Sequence, residues 1–226
     1  MTFPPEVWLA LLLWGTLVAL DLVSVPQAMI ARPLVAGSIA GWLVGDFVAG
    51  FRVAVVMELF ALDVLPVGAA RYPDYGPATV GAVAFIAHRG AWEVSLGVAV
   101  AQALAVAWVG GWSLRILRHR IARAIAGRAA ALDAGDPATI RRIQLGSIAR
   151  DACRGLLLTA LALLLAWVVA RRVPVDPGTG ALLSVIAVGS GVAAILGGAL
   201  RSAGRGARLR WLVAGCAVGA LLVWAT

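Results

Sequence analysis

Residues 155–169 read Gly155-Leu156-Leu157-Leu158-Thr159-Ala160-Leu161-Ala162-Leu163-Leu164-Leu165-Ala166-Trp167-Val168-Val169, and Arg171-Arg172 close the run. Fifteen residues without a charge, ended by two Arg and preceded by Arg154, read as a helix that crosses a bilayer, which takes about 20 mostly apolar residues. Similar runs recur on both sides. Thr179 to Leu200 is bounded by Arg201, Trp211 to Trp224 is shorter, and Trp92 to Trp112 carries Trp at both ends, which suits anchoring at two interfaces. The whole chain agrees: 62% of its 226 residues are hydrophobic and 13% charged, with a mean hydropathy of +0.95. The fold class expected is therefore all-α, a polytopic integral membrane protein rather than a soluble domain on an anchor. Met1 to Glu6 carry no Lys or Arg and no Ala-x-Ala pattern follows Val7 to Leu20, so a cleaved signal peptide is not expected.

The basic residues are all Arg and give a net charge of +8 and a pI near 11.3. In a soluble protein that balance would point to nucleic acid. Here the Arg cluster between apolar spans, so the positive-inside bias accounts for them and nucleic acid is set aside as a partner. Ser113 to Arg154 holds nine Arg against Asp133, Asp136 and Asp151 and is assigned to the cytoplasm. Arg201 to Arg210, with four more Arg, falls on the same side, which leaves the C-terminus outside. Leu114, Ile116, Leu117, Ile121 and Ile125 make an apolar stripe opposite Arg115, Arg118 and Arg123, as in a helix lying along a membrane surface. Asp136-Pro137 is a helix start, the Asp capping free amides and the Pro fitting the first turn. Three regions follow: a transmembrane half over 1–112, a basic amphipathic helical segment over 113–154, and C-terminal transmembrane helices over 155–226.

The N-terminal half is interrupted by Pro26, Pro33, Pro66, Pro73 and Pro77 and by Asp21, Arg32, Asp46, Arg52, Glu58, Asp63, Arg71 and Asp74. Straight lipid-facing helices cannot carry that load, because backbone broken at membrane depth needs protein or a water-filled cavity to satisfy its polar groups. Broken or re-entrant helices around a polar site are expected, as in secondary transporters. Glu58 lies in the apolar run Val53 to Leu62, and an intramembrane carboxylate usually faces a functional interior. The structural alternative is an ion pair with Arg52 or Arg32 that holds helices together. Asp46 follows Gly45 after a run too short to span, and reads either as a helix cap or as a site residue. Asp74 lies in Arg71-Tyr72-Pro73-Asp74-Tyr75-Gly76-Pro77, where rings and a carboxylate suit a sugar but also describe a surface loop.

No catalytic constellation is found. Gly189-Ser190-Gly191 lacks a base in reach of its hydroxyl, the two His, His88 and His119, fall at or beyond expected helix ends, and helix packing on small residues explains Gly189 to Gly191 and Gly197-Gly198. Cys153 and Cys216 have no metal-ligand spacing and read as small buried residues. No metal or cofactor is called for.

Arg32-Pro33-Leu34-Val35-Ala36-Gly37-Ser38-Ile39-Ala40-Gly41 with Gly45-Asp46, then Met57-Glu58-Leu59-Phe60-Ala61-Leu62, then Val67-Gly68-Ala69-Ala70 and Pro73-Asp74, resemble in order and spacing the IIC membrane subunit of the mannose/fructose/sorbose-type phosphotransferase system. Ala129-Ala130-Ala131-Leu132-Asp133-Ala134-Gly135-Asp136, with Ile140 and Ile143, is similar to the run before that family's central amphipathic helix. The resemblance implies a multi-pass sugar permease subunit of the cytoplasmic (inner) membrane, homo-oligomeric within its complex. It implies a IID membrane partner and soluble IIA and IIB proteins that carry phosphate from phosphoenolpyruvate on their own histidines, so that this subunit is itself no enzyme. Glu58 and Asp74 correspond to the family's motif acids, Gln27 lies in the polar stretch before Arg32-Pro33, and these with Asp46 are the candidate sugar-binding residues. Pro66 stands where mannose-transporting members have Asn, and Pro26 and Gln27 replace the acids that often precede the Arg-Pro pair, so the resemblance does not extend to mannose as the substrate. Two other classes fit the same residues: a non-transporting structural subunit, and an ion-coupled transporter acting alone.

Overall fold

A computed structural model describes residues 3–63 and 72–202, with isolated positions between 206 and 218. All its described elements are α-helices: α1 (Pro5–Asp21), α2 (Pro33–Leu43), α3 (Phe47–Ala61), α4 (Tyr75–Arg89), α5 (Trp92–Ala126), α6 (Ala129–Asp133), α7 (Pro137–Arg172) and α8 (Pro177–Ser202). Three of them, α5, α7 and α8, are long and apolar enough to cross a membrane. The span expected at Trp211 to Trp224 and the motif Val67 to Ala70, with Pro66, lie largely or wholly outside the described residues.

The chain is built around α4. Twelve of its 15 residues, from Tyr75 to Ile86, are buried, and α1, α2, α3, α5 and α7 all pack on it. Its composition of Gly, Ala and Val makes that close approach possible, since small side chains let helix backbones come together where lipid supplies no hydrophobic drive. The outer surfaces invert the usual pattern: Leu9, Leu13 and Leu17 form one exposed stripe on α1, and Leu157 and Leu164 are exposed on α7. That is the pattern of a lipid-facing wall. Cys153 is exposed as well, so it is not the small buried residue expected.

The broken half takes a definite form. α2 has 11 residues and α3 has 15, about 16 and 22 Å at 1.5 Å per residue, each short of a hydrocarbon core roughly 30 Å thick. They fold back on one another. α2 begins with Pro33 in its first turn, and ends where Gly45 takes φ +79°, a left-handed turn that Gly adopts without penalty. Asp46 then caps α3, accepting from the Ala49 amide at 3.0 Å. A Cβ on Gly41 would lie 2.8 Å from the Gly50 Cα, and one on Gly37 would lie 2.8 Å from the Ala54 Cβ. Both pairs of residue numbers sum to 91, which is the register of an antiparallel hairpin.

Residues 113–154 are helical but do not form a separate helix along a membrane surface. Residues 113–126 continue α5 without a break and 137–154 open α7. Leu114 and Leu117 at the start of the expected stripe are buried against protein, whereas Ile125 at its end is exposed. α7 starts at Pro137 as expected, Asp136 accepting from the amides of Ala138 and Thr139, each at 3.1 Å. Of the small residues on α8, Gly191 packs on Leu59 and Phe60 and Gly198 on Asp63, whereas Gly189 and Gly197 have nothing within 4 Å. Helix packing thus explains one Gly of each pair.

Candidate substrate-binding site

The open end of the α2–α3 hairpin is closed by charge. Arg32, the residue before Pro33, pairs with Glu58, and the second Glu58 oxygen accepts from the Leu34 amide at 3.1 Å. Glu58 therefore does the work of a helix cap from across the hairpin. α2 has no side-chain cap of its own at Arg32, and a carboxylate at a helix N-terminus satisfies free amides and suits the local dipole. Of the two bases weighed as its partner, Arg32 takes the role. Arg52 instead lies over the Trp92 ring, its guanidinium carbon 4.0 Å from the centroid.

A second ionic group lies deeper. Asp74 is fully buried at the start of α4. Its Oδ2 accepts from Arg154 Nη1 at 2.8 Å, and Arg154 Nε donates to Asp151 Oδ1 at 2.7 Å. Ser24 donates to the other Asp151 oxygen, and the Asp74 backbone amide donates to the Ala107 carbonyl at 2.9 Å. The group ties the α1–α2 loop, α4, α5 and α7 together. It places two carboxylates on one guanidinium, and Asp74 Oδ1 and Arg154 Nη2 are buried without a hydrogen-bond partner among the described residues. Buried polar atoms normally have partners, so each of these two atoms keeps an unused capacity, the acid as acceptor and the base as donor. Tyr72, buried just before α4, is within electrostatic reach of Arg32, Glu58 and Asp74.

The four candidates do not converge on one point. Asp46 is at the hairpin tip and Glu58 near its open end, twelve residues apart along α3, or about 18 Å. Asp46 instead lines a cleft of about 340 Å³ with Arg52, Trp92 and Glu93, beside the C-terminal end of α4. Gln27 is exposed in the loop after α1, its amide donating to the Leu22 carbonyl at 3.1 Å. That loop is set by Asp21, a buried carboxylate that accepts from the amides of Ala28 at 2.6 Å and Ala31 at 3.0 Å. Sequence reasoning missed Arg154 and Asp151, which it placed in the cytoplasmic stretch. The available signal was that Asp151 and Arg154 stand one helical turn apart against the apolar run at Gly155, the spacing of two groups on one face.

Two solved structures share the architecture. One, described as "Structure of membrane protein", superposes with a TM-score of 0.71 at 19% identity, over 99% of this chain and 96% of that one. The other, of mannose transporter ManYZ in complex with microcin E492, gives 0.62 at 18% identity, over 97% and 88%. Likeness at this identity is one of fold. A search of curated proteins returns no match. The model of the family described as the sorbose-specific IIC component of the phosphotransferase system matches residues 7–221, nearly the whole chain; this protein belongs to that family of membrane transport subunits.

Proposed function

We propose that the chain is the sugar-conducting IIC subunit of a phosphoenolpyruvate-dependent phosphotransferase complex in the cytoplasmic membrane. A IID subunit is its membrane partner, and soluble IIA and IIB proteins supply the phosphoryl group. The observation that carries this reading is the layer of ionisable side chains inside an apolar helical body: Arg32 with Glu58 and Asp74 with Arg154 and Asp151. Charges held in that setting are costly and mark substrate pathways. The hairpin of two short helices supports it, since half-helices meeting at membrane depth are how transporters build a polar site. Glu58 and Asp74, both within electrostatic reach of Tyr72, are the groups we assign to sugar hydroxyls. Gln27 and Asp46 serve the approaches, and phosphoryl transfer belongs to the partners.

The test is sugar uptake by cells carrying the complex with Glu58→Gln in this subunit. Gln keeps an oxygen for the Leu34 amide and removes the charge. Lost uptake with an intact complex supports the permease reading. A second reading, Glu58 as a structural cap alone, is favoured by its already satisfied contacts with Arg32 and Leu34, and failed assembly of the variant would support it. Uptake in a strain lacking the phosphotransferase proteins would overturn the group-translocation reading in favour of a transporter acting alone.

A further inference from the structure

A second cleft, of about 260 Å³, opens at the N-terminal end of α4, where the apolar part of α5 gives way to its basic extension, and is lined by Asp63, Tyr72, Tyr75, Trp108, Trp112 and Arg115. It takes in none of the four sequence candidates. Its volume lies just below the range of roughly 300–1,000 Å³ that receives drug-sized ligands, a size for one sugar ring. Trp108, Gly111, Trp112 and Arg115 follow one another at the i, i+3, i+4, i+7 spacing of one helix face. Gly111 is what lets the wall close: a Cβ there would lie 2.8 Å from the Tyr72 carbonyl oxygen and 3.1 Å from the Pro73 Cα. Tyr72 and Tyr75 meet edge to face, their centroids 5.5 Å apart.

The chemistry is that of a polyol carrying an anion. The exposed Trp108 and Trp112 indoles suit the apolar face of a sugar ring, and the buried Tyr72 and Tyr75 add two phenols to the wall. Arg115 presents a planar fork of donors suited to a phosphate. We infer that this cleft binds the phosphorylated sugar on the side of the basic segment, after the phosphoryl group has been attached and before release. The inference rests on the permease reading above and adds a product subsite to it. A phosphorylated polyol is also the headgroup of an anionic lipid, and exposed Trp residues are at home at a membrane interface, so the test separates the two sources.

The full-length protein in phosphatidylcholine nanodiscs is titrated with glucose 6-phosphate, mannose 6-phosphate and fructose 1-phosphate, and binding is read by calorimetry. At least one should bind, several-fold more tightly than its unphosphorylated sugar. Arg115→Gln and Trp108→Ala should each weaken it about tenfold, the loss expected for a charge-assisted hydrogen bond or a stacked ring. Both side chains are exposed, so the variants should melt as the parent does, and Arg115→Lys should keep most of the affinity. Binding by none of the three, or binding indifferent to Arg115→Gln and Trp108→Ala, overturns the product subsite. So does loss of sugar-phosphate binding when phosphatidylglycerol is added to the disc, which would assign the cleft to lipid. Uptake that still depends on Glu58 would leave the permease reading standing in each of these cases.

Discussion

Asp74 at the head of α4 and Arg154 on α7 are joined at 2.8 Å with their side chains 0% and 8% exposed, and Asp151, equally buried, shares the same guanidinium. Removing Arg154 leaves the Asp74 carboxylate buried without its cation, and breaking a buried pair in this way costs about 3–5 kcal/mol. Arg154→Gln should therefore lower thermal stability in detergent sharply, with Asp74 and Asp151 left facing each other. Neutralising the acid as well, in Asp74→Asn with Arg154→Gln, should recover a large part of the loss. A double variant no more stable than Arg154→Gln would mean that the pair contributes through shape and not through charge.

Gly50 makes a different demand on the hairpin. A Cβ there would run into the Gly41 Cα, with the Gly37 carbonyl oxygen 2.8 Å away. Both obstacles are backbone and cannot swing aside. Gly50→Ala should cost about 1–3 kcal/mol, the usual range for overpacking, whereas Gly189→Ala, with nothing within 4 Å, should be neutral or slightly stabilising through its better helix propensity. Melting temperatures of the two variants, side by side, check the contrast.

The start of α7 titrates. The Asp136 carboxylate is held below the usual carboxylate range by its hydrogen bonds to Thr139 and to the Ala138 amide. Its folded value lies below its unfolded one, so its contribution is complete above the unfolded value, near pH 4, and is lost as pH falls through the folded value. Hydrogen exchange at the amides of Ala138 and Thr139, taken relative to the intrinsic rate at each pH, should quicken on acidification below about pH 4. Asp136→Ala should show that faster exchange already at neutral pH, while Asp136→Asn, another good cap, should not. Equal exchange in all three proteins would show that the side chain does not hold this turn.

The parts legible in the sequence were those with local causes. Gly45, Asp46 and the Asp136-Pro137 start each determine their own turn through dihedral preference or a hydrogen bond two or three residues away; Asp136 caps α7 as expected, and Asp46 takes the cap of its two readings. The uninterrupted α5 and α7 were not legible. Arg115 to Arg128 carry the charge pattern of a surface helix, and only tertiary contacts tell an amphipathic helix facing lipid from one facing protein. The same holds for the second ionic group. Asp74 and Arg154 are 80 residues apart, and nothing near either one names the other.

Arg32 and Glu58 offer the sharpest test of what a charge pair does here, because Glu58 has two jobs. It neutralises Arg32 and it caps α2 through the Leu34 amide. If only the Coulomb attraction mattered, exchanging the residues in Arg32→Glu with Glu58→Arg would restore what either single change removes. The cap breaks that symmetry. A guanidinium at position 58 has no acceptor to offer Leu34 and sets a positive charge beside the positive end of α2, an arrangement unfavourable by about 0.3–1 kcal/mol before the lost hydrogen bond is added. The exchanged protein should therefore be less stable than the parent and no better than Glu58→Gln, which keeps an acceptor oxygen. Thermal melts of the parent, the Gln variant and the exchanged pair in one detergent decide it: recovery to the parent's value by the exchanged pair would show the contact to be a simple ion pair, with no helix held at its N-terminus.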